Sequence, residues 1–207
     1  MRKILGLSAQ FALIIILATG LTGCTLIFQK GRRSDVEKIN KLKSELSELE
    51  RAKRELEDRL RGQKDVKVEM SDRGLVITFL AEVLFDSGKD KIREAARDKL
   101  DQVAEVLNTT VKDLDVGIEG HTDNEPIKRS GWKSNWELSA ARALAVLHYM
   151  EDNHGVAPER LSAIGYGEYK PVDSNETKAG RQNNRRVEIV ILPKVEKSKS
   201  GTVTVEE

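Results

Sequence analysis

The chain has 207 residues and carries 35 Lys or Arg against 34 Asp or Glu, so its net charge is only +1. This balance provides no strong field to attract nucleic acid, and the composition therefore argues against a nucleic-acid-binding role. The single cysteine excludes an intrachain disulfide, and the length allows one domain of ordinary size together with a spacer.

The N-terminal segment has the pattern of a secretory signal peptide, predicted to cover residues 1–23. Arg2 and Lys3 precede an apolar stretch over residues 4–17, which is shorter than the ~20 residues needed to span a bilayer. The run Leu-Thr-Gly-Cys at 21–24 resembles the lipobox of bacterial lipoproteins. That resemblance implies cleavage before Cys24 and attachment of acyl chains such as palmitate to this residue. Several acyl chains hold a protein on a membrane more firmly than a single chain does. The other interpretation is an uncleaved signal anchor with a buried cysteine.

The residue after the cysteine bears on the choice of membrane. In the lipoproteins that this segment resembles, Asp at that place often causes retention in the inner membrane. The residue here is Thr25, which implies a lipid anchor in the outer membrane with the protein facing the periplasm. Residues 24–33 are then a lipidated linker.

A helical spacer is predicted for residues 34–62, which lack proline and are rich in Lys, Glu, Arg and Leu. Apolar residues recur there in steps of three and four, with Lys53 filling the one gap. They are Ile39, Leu42, Leu46, Leu49, Leu56 and Leu60. So narrow a stripe predicts a coiled coil between chains, and hence a homo-oligomer. The alternative is a single amphipathic helix lying on the domain or on the membrane surface.

After Gly62 the pattern changes to a period of two, which predicts a β-hairpin over residues 63–82. Residues 83–88 are typical of a strand end followed by a tight turn. Asp90 is then expected to cap a helix whose buried stripe begins at Ile92 and continues to Leu107. A strand ending at Gly120 follows.

A capping box formed by Ser134 and Glu137 predicts a second helix that runs to about Asn153 and stops at Gly155. A short strand, a polar loop and a last strand complete a domain over residues 83–193, and residues 194–207 form a charged tail expected to be disordered. The predicted fold class is therefore α+β, with helices packed on a mixed β-sheet in two layers, preceded by the α-helical coiled-coil spacer.

Four sequence blocks occur in order along this domain. They are Leu-Phe-Asp-Ser-Gly at 84–88, Glu-Gly-His-Thr-Asp at 119–123, Asn-Trp-Glu-Leu-Ser-Ala-Ala-Arg-Ala at 135–143, and Gly-Arg-Gln-Asn-Asn-Arg-Arg-Val-Glu at 180–188. Together they resemble the OmpA-like C-terminal domain, which also occurs in peptidoglycan-associated lipoproteins and in stator proteins of the MotB type. The resemblance covers about residues 83–192.

The resemblance implies non-covalent binding of peptidoglycan through meso-diaminopimelate of the stem peptide. This residue presents an ammonium and a carboxylate on one carbon. A carboxylate side chain can accept from the ammonium, and a guanidinium can grip the carboxylate with two bonds. The family pattern places these groups on Asp123 and Arg142. The flanking residues carried over from the same blocks are Thr122, Asn135, Leu138, Phe85, Asp86 and Arg185.

Each of these residues also has a structural interpretation. Asp123 can be a turn residue, and Arg142 can be a solvated helix residue or the salt-bridge partner of Asp123. His121 beside Asp123 supplies too few ligands for a metal site, so no metal or other cofactor is expected. Trp132 and Trp136 can stack on sugar rings or pack locally.

The function that these patterns favour is that of an outer-membrane lipoprotein tethering the envelope to the cell wall. One alternative is a MotB-like motor subunit, because the loop at 124–134 looks longer than in the lipoproteins and closer to the MotB form. That function needs a membrane helix with an acidic residue, and residues 4–17 contain none. A coiled-coil scaffold of the envelope is another alternative. No nucleophile–base pair is evident by spacing, so an enzyme is not expected.

Overall fold

The computed structural model describes residues 35–63, 65–128 and 130–194. The signal peptide, Cys24, the linker and the charged tail predicted from the sequence lie outside these ranges. The structure consists of two units, one ending at Ser44 and the other beginning at Glu45. In the first unit, residues 35–44 are helical and exposed. Among the described helices, none has both the length and the apolar character required to cross a bilayer.

The second unit holds all the strands of the described chain. Its elements are α1 (residues 45–59), β1 (Val66–Ser71), β2 (Gly74–Leu80), α2 (Ala81–Leu84), α3 (Glu94–Asn108), β3 (Asp115–His121), α4 (Asn135–His154), a 3-10 turn (Pro158–Arg160), β4 (Leu161–Gly165), α5 (Lys178–Asn184) and β5 (Arg186–Leu192). The five strands form one sheet in the order β1-β2-β5-β3-β4. Only the β3–β4 pair is parallel, so the sheet is mixed, and the predicted α+β class with helices packed on a mixed sheet is confirmed. The coiled-coil part of that prediction is not confirmed.

The predicted hairpin is present as β1 and β2, and it belongs to the domain itself. Strand β2 pairs antiparallel with β5 at the other end of the chain, from Leu75 opposite Ile191 to Leu80 opposite Arg186. The hairpin is therefore not an entry segment separate from residues 83–193, and the boundary predicted after residue 82 is corrected.

Helix α1 packs on its own domain. Leu49, Ala52, Leu56 and Leu60 are buried in the main hydrophobic core. The sequence pattern placed Lys53 in the buried stripe between Leu49 and Leu56, but the residue buried there is Ala52. Lys53 lies outside the core and pairs with Glu57 at 3.4 Å. The interpretation of this half of the stripe as a seam between chains is therefore wrong, because the domain covers it. The remaining apolar residues of the stripe, Ile39, Leu42 and Leu46, are exposed, and self-association through them stays a prediction.

Two local assignments are also corrected. The expected strand end at residue 83 is part of the one-turn helix α2, which follows β2 directly. The amide of Ala81, the first residue of α2, donates to the Arg185 carbonyl. Helix α3 begins after Arg93 and not at Asp90, and no side chain caps it. The chain between α2 and α3 is closed by a bridge from Phe85 to Ile92.

Helix α5 lies in the segment predicted to be a polar loop. Gly180 and two asparagines have low helix propensity, which hides the helix in the sequence. Thr177 caps its start by accepting from the Gly180 amide at 2.9 Å. The buried Asn184 side chain accepts from the amides of Val172 and Asp173 and thereby fixes the preceding loop.

Helix α4 agrees with its prediction and sets the position of the site. Ser134 caps it by accepting from the Trp136 amide, and Gly155 ends it with φ +63°. The helix approaches the sheet closely, since a Cβ added at Gly120 would lie 2.0 Å from the Ser139 carbonyl oxygen. This contact places the first turns of α4 beside the end of β3.

Candidate functional site

The site residues carried over from the family pattern all line one open cleft of about 500 Å³. They are Phe85, Asp86, Thr122, Asp123, Asn135, Leu138, Arg142 and Arg185. The cleft lies where the loop after α2, the loop after β3, the start of α4 and the end of α5 meet. Residues from four distant parts of the chain are thus brought together by the sheet order.

Asp123 is buried at the cleft and is held by Arg185. Its Oδ2 atom accepts from Nη1 of Arg185 at 2.5 Å, and its Oδ1 atom accepts from the Glu125 amide at 3.1 Å. Oδ1 thus has the role of a turn residue, because it accepts from the amide two residues further along the chain. The interpretation of Arg142 as its salt-bridge partner is wrong, because Arg185 fills that role.

Arg142 is buried without a carboxylate partner among the described residues. Its Nε donates to the Lys89 carbonyl at 2.9 Å, its Nη2 is 3.5 Å from the Asp86 carbonyl, and the guanidinium lies over the Phe85 ring at 5.2 Å. Only 5% of its surface is exposed, so it is not a solvated helix residue. Burial, reinforced by the charge of Arg185, lowers the pKa of Arg142 to about 10. The guanidinium remains protonated at neutral pH, but it is held in an unfavourable environment.

Asn135 organises the loop that carries Asp123. Its Nδ2 group lies within hydrogen-bonding distance of three acceptors: the Asp123 carbonyl at 3.3 Å, the Glu125 carbonyl at 3.2 Å and Oε2 of Glu168 at 2.7 Å. Thr122 contributes a hydroxyl that donates to the Asp123 carbonyl at 2.9 Å. These contacts fix the backbone around Asp123 and aim its carboxylate.

The other carried-over residues form the walls. Phe85 and Leu138 are buried apolar surfaces, and Asp86 acts through its carbonyl while its exposed carboxylate lies 3.5 Å from Arg93. The polar loop after β3 contributes further lining through Glu125, Pro126 and Lys128. Sequence reasoning missed Glu82 and Lys89 as lining residues; both flank the Leu-Phe-Asp-Ser-Gly block.

A second charged cluster lies on the sheet away from this cleft. Arg73 bridges Glu119 at 2.6 Å and Glu188 at 2.5 Å, and Arg186 donates to Glu188 at 2.6 Å. Burial opposes the charge on Glu188, but the two arginines outweigh it and hold the pKa of that carboxyl below its usual value. His121 belongs to this cluster, because its Nε2 atom lies 3.8 Å from Oε2 of Glu119. It does not join Asp123 in the cleft. The ligand atoms of Glu119, His121 and Glu188 lie within 4.8 Å of one another, but Arg73 already pairs with both carboxylates.

Comparison with known proteins identifies the domain. The family described as OmpA matches residues 84–185. The outer-membrane lipoprotein YfiB of Pseudomonas aeruginosa is 35% identical over 124 residues, which cover 59% of this chain and 70% of that protein. This chain belongs to the OmpA family. The resemblance to an OmpA-like, peptidoglycan-binding domain related to MotB is therefore confirmed.

Two further relatives of this OmpA-family chain bear on its role. Motility protein B of Bacillus subtilis is 41% identical over 152 residues, covering 71% of this chain and 57% of that protein. The solved structure of the cell wall anchor of the T6SS from Pseudomonas aeruginosa superposes with a TM-score of 0.61 at 34% identity, covering 68% of this chain and 96% of that one. The chain spans about half the length of the motility proteins it matches.

Proposed function

We propose that the cleft binds peptidoglycan non-covalently by holding the diaminopimelate of a stem peptide. The observation that carries this proposal is the buried Arg142 guanidinium, which has no carboxylate of the described chain to neutralise it and faces an open cleft. A carboxylate from a ligand would supply the missing partner.

Asp123 supplies the complementary charge. It is close enough to Arg142 to oppose the lowering of the pKa of that arginine, although it does not bond to it. The ligand's ammonium can donate to Asp123, sharing the carboxylate with Arg185, while the carboxylate on the same carbon accepts from Arg142. Such a pairing recognises both charges of one carbon at once and requires no chemical step, so the domain is proposed to bind without catalysis.

Sedimentation with purified cell-wall sacculi tests the site. The full chain is expected to co-sediment, and free diaminopimelate is expected to compete. Asp123→Ala and Arg142→Ala should each cost about 2–5 kcal/mol, because each leaves a buried opposite charge unpaired in the complex. Arg160→Ala is the matched control, since Arg160 also donates to two backbone carbonyls but lies outside the cleft. Sedimentation of both cleft variants at the level of the control would refute the site, and release of muropeptides would refute binding without catalysis.

For the whole protein, we propose a lipid-anchored tether between the outer membrane and the wall, with Cys24 as the acylated residue. The relationship to the lipoprotein YfiB and the lipobox-like run at 21–24 support it. The relationship to motility protein B gives comparable support to a motor subunit, and the exposed residues Ile39 and Leu42 keep a scaffold role open. Mass spectrometry of the N-terminal fragment discriminates: a diacylglycerol-modified Cys24 supports the tether, and an intact, unlipidated N-terminus supports the motor subunit.

A further inference from the structure

Two large aromatic rings are stacked on the surface next to the cleft. Trp136 is 49% exposed and Tyr169 is 61% exposed, and their centroids lie 4.9 Å apart with an interplanar angle of 23°. Aromatic rings of this size are normally used to bury apolar area. Each ring covers part of the other, and each still leaves about half or more of its surface in solvent.

The backbone holds these rings in place. Gly167 has φ +57° and packs directly on Trp136, since a Cβ there would lie 3.5 Å from the indole. The Gly167 amide donates to Oγ of Ser139 at 2.9 Å, and its carbonyl accepts from the Thr122 amide at 2.9 Å. The loop that carries Tyr169 is therefore fastened both to α4 and to the end of β3.

The same contacts connect the rings to the cleft. Asn135, which precedes Trp136, is the residue whose side chain contacts both the Asp123 carbonyl and Oε2 of Glu168. Glu168 in turn precedes Tyr169 in the chain. The stem-peptide cleft and the aromatic pair are thus adjacent parts of one fixed frame.

We infer that Trp136 and Tyr169 form a subsite for the sugar backbone of the ligand, a β-1,4-linked chain of N-acetylated hexosamines. This inference rests on the proposed function and extends it. The axial C–H groups of a pyranose form an apolar face that packs on an aromatic face, and the ring hydroxyls and acetamido groups stay hydrated or find polar partners. Glu168, which precedes Tyr169 and accepts from Asn135 at 2.7 Å, is a carboxylate available for such a group. Peptidoglycan could then place its sugar chain on the aromatic pair and its stem peptide in the cleft at the same time.

The test uses a sugar without a peptide. The N-acetylglucosamine tetramer is titrated into the full chain and followed by tryptophan fluorescence and calorimetry. Tyr169→Ala is expected to weaken binding by about fivefold to tenfold, the size of one lost aromatic contact, and Tyr169→Phe to retain it. Leu144→Ala is the matched control, because Leu144 is an exposed apolar residue of the same helix as Trp136. Arg142→Ala is expected to bind the tetramer as the wild type does while losing diaminopimelate.

The outcomes separate this subsite from the stem-peptide site. Absence of tetramer binding by the wild type, or equal binding by Tyr169→Ala and the control, overturns the inference. So does a change from dimer to monomer on Tyr169→Ala in sedimentation velocity, since the rings would then be a contact between copies. If the tetramer depends on Tyr169 but diaminopimelate binding ignores Arg142→Ala, the stem-peptide assignment fails and the sugar subsite stands.

Discussion

Replacing Arg142 by methionine is expected to stabilise the fold while abolishing wall binding. Burial lowers the pKa of Arg142 from 12.5 to about 10, so the folded protein disfavours the charged form relative to the unfolded chain. A lowering of this size corresponds to about 3 kcal/mol. Because the folded pKa is the lower one, this cost is present throughout the pH range below about 10, including pH 7, and is relieved only above it.

The hydrogen bonds of Arg142 offset part of this cost. The bond to the Lys89 carbonyl at 2.9 Å is well formed, and the contact with the Asp86 carbonyl at 3.5 Å is long, so together they contribute about 1–2 kcal/mol. Methionine is two atoms shorter than arginine but has the same unbranched shape and no charge, and its sulfur packs favourably against an aromatic ring such as Phe85. The net expectation is a gain of about 1–2 kcal/mol in the free energy of unfolding.

Urea unfolding at pH 7, followed by circular dichroism, measures this change beside sacculus sedimentation. Arg142→Met should unfold at higher urea and fail to sediment with sacculi, whereas Arg142→Lys keeps the charge and should not be stabilised. Arg186→Met is the matched control, because Arg186 is equally buried but paired with Glu188, and its loss should cost about 3–5 kcal/mol. A decrease of about 1 kcal/mol or more for Arg142→Met would refute the argument that the fold tolerates this charge for the sake of a ligand.

Three further predictions concern the stability of the fold. Leu56→Ala, in the core, should lower the free energy of unfolding by about 2–5 kcal/mol, and the exposed Leu42→Ala by less than about 0.5, in the same urea assay. Equal losses for the two variants would contradict the packing of α1 on its own domain and would favour the coiled-coil interpretation. Gly120→Ala should cost about 3 kcal/mol or more, measured by thermal unfolding, because its Cβ meets a helix carbonyl at 2.0 Å. Stability should fall as the pH drops below 4.5, since the pKa of Glu188 is lowered in the folded state, and Arg73→Ala should flatten this acid dependence.

Local signals in the sequence were sufficient for the elements that frame the site. The capping box at Ser134 and the glycine at 155 define α4 because caps depend on residues only a few positions apart. The strands of the hairpin and β5 follow from alternation along short segments. For this reason the residues of α4, including Arg142, could be placed on a helix before the fold was known.

Long-range partners could not be predicted in the same way. A heptad-like stripe says that a helix buries one face, but it does not say whether the covering surface belongs to another chain or to the same domain. Ala52 is small enough to be overlooked as a core residue, and Lys53 beside it looked like part of the stripe. The pairing of Asp123 with Arg185 joins residues 62 positions apart, and only the sheet order brings them together.

Two buried arginines, Arg186 and Arg142, differ in how their charge is neutralised within the domain. Arg186, at 4% exposure, has a carboxylate at 2.6 Å and donates to two backbone carbonyls, so its charge is neutralised within the domain. Arg142, at 5% exposure, has only carbonyl acceptors among the described residues. In the cleft the acidic partner, Asp123, is already paired with Arg185 at 2.5 Å, whereas Arg142 is not paired. Leaving a buried arginine unpaired is costly unless an external anion pairs with it, so the proposed ligand would gain more from its carboxylate at Arg142 than from its ammonium at Asp123.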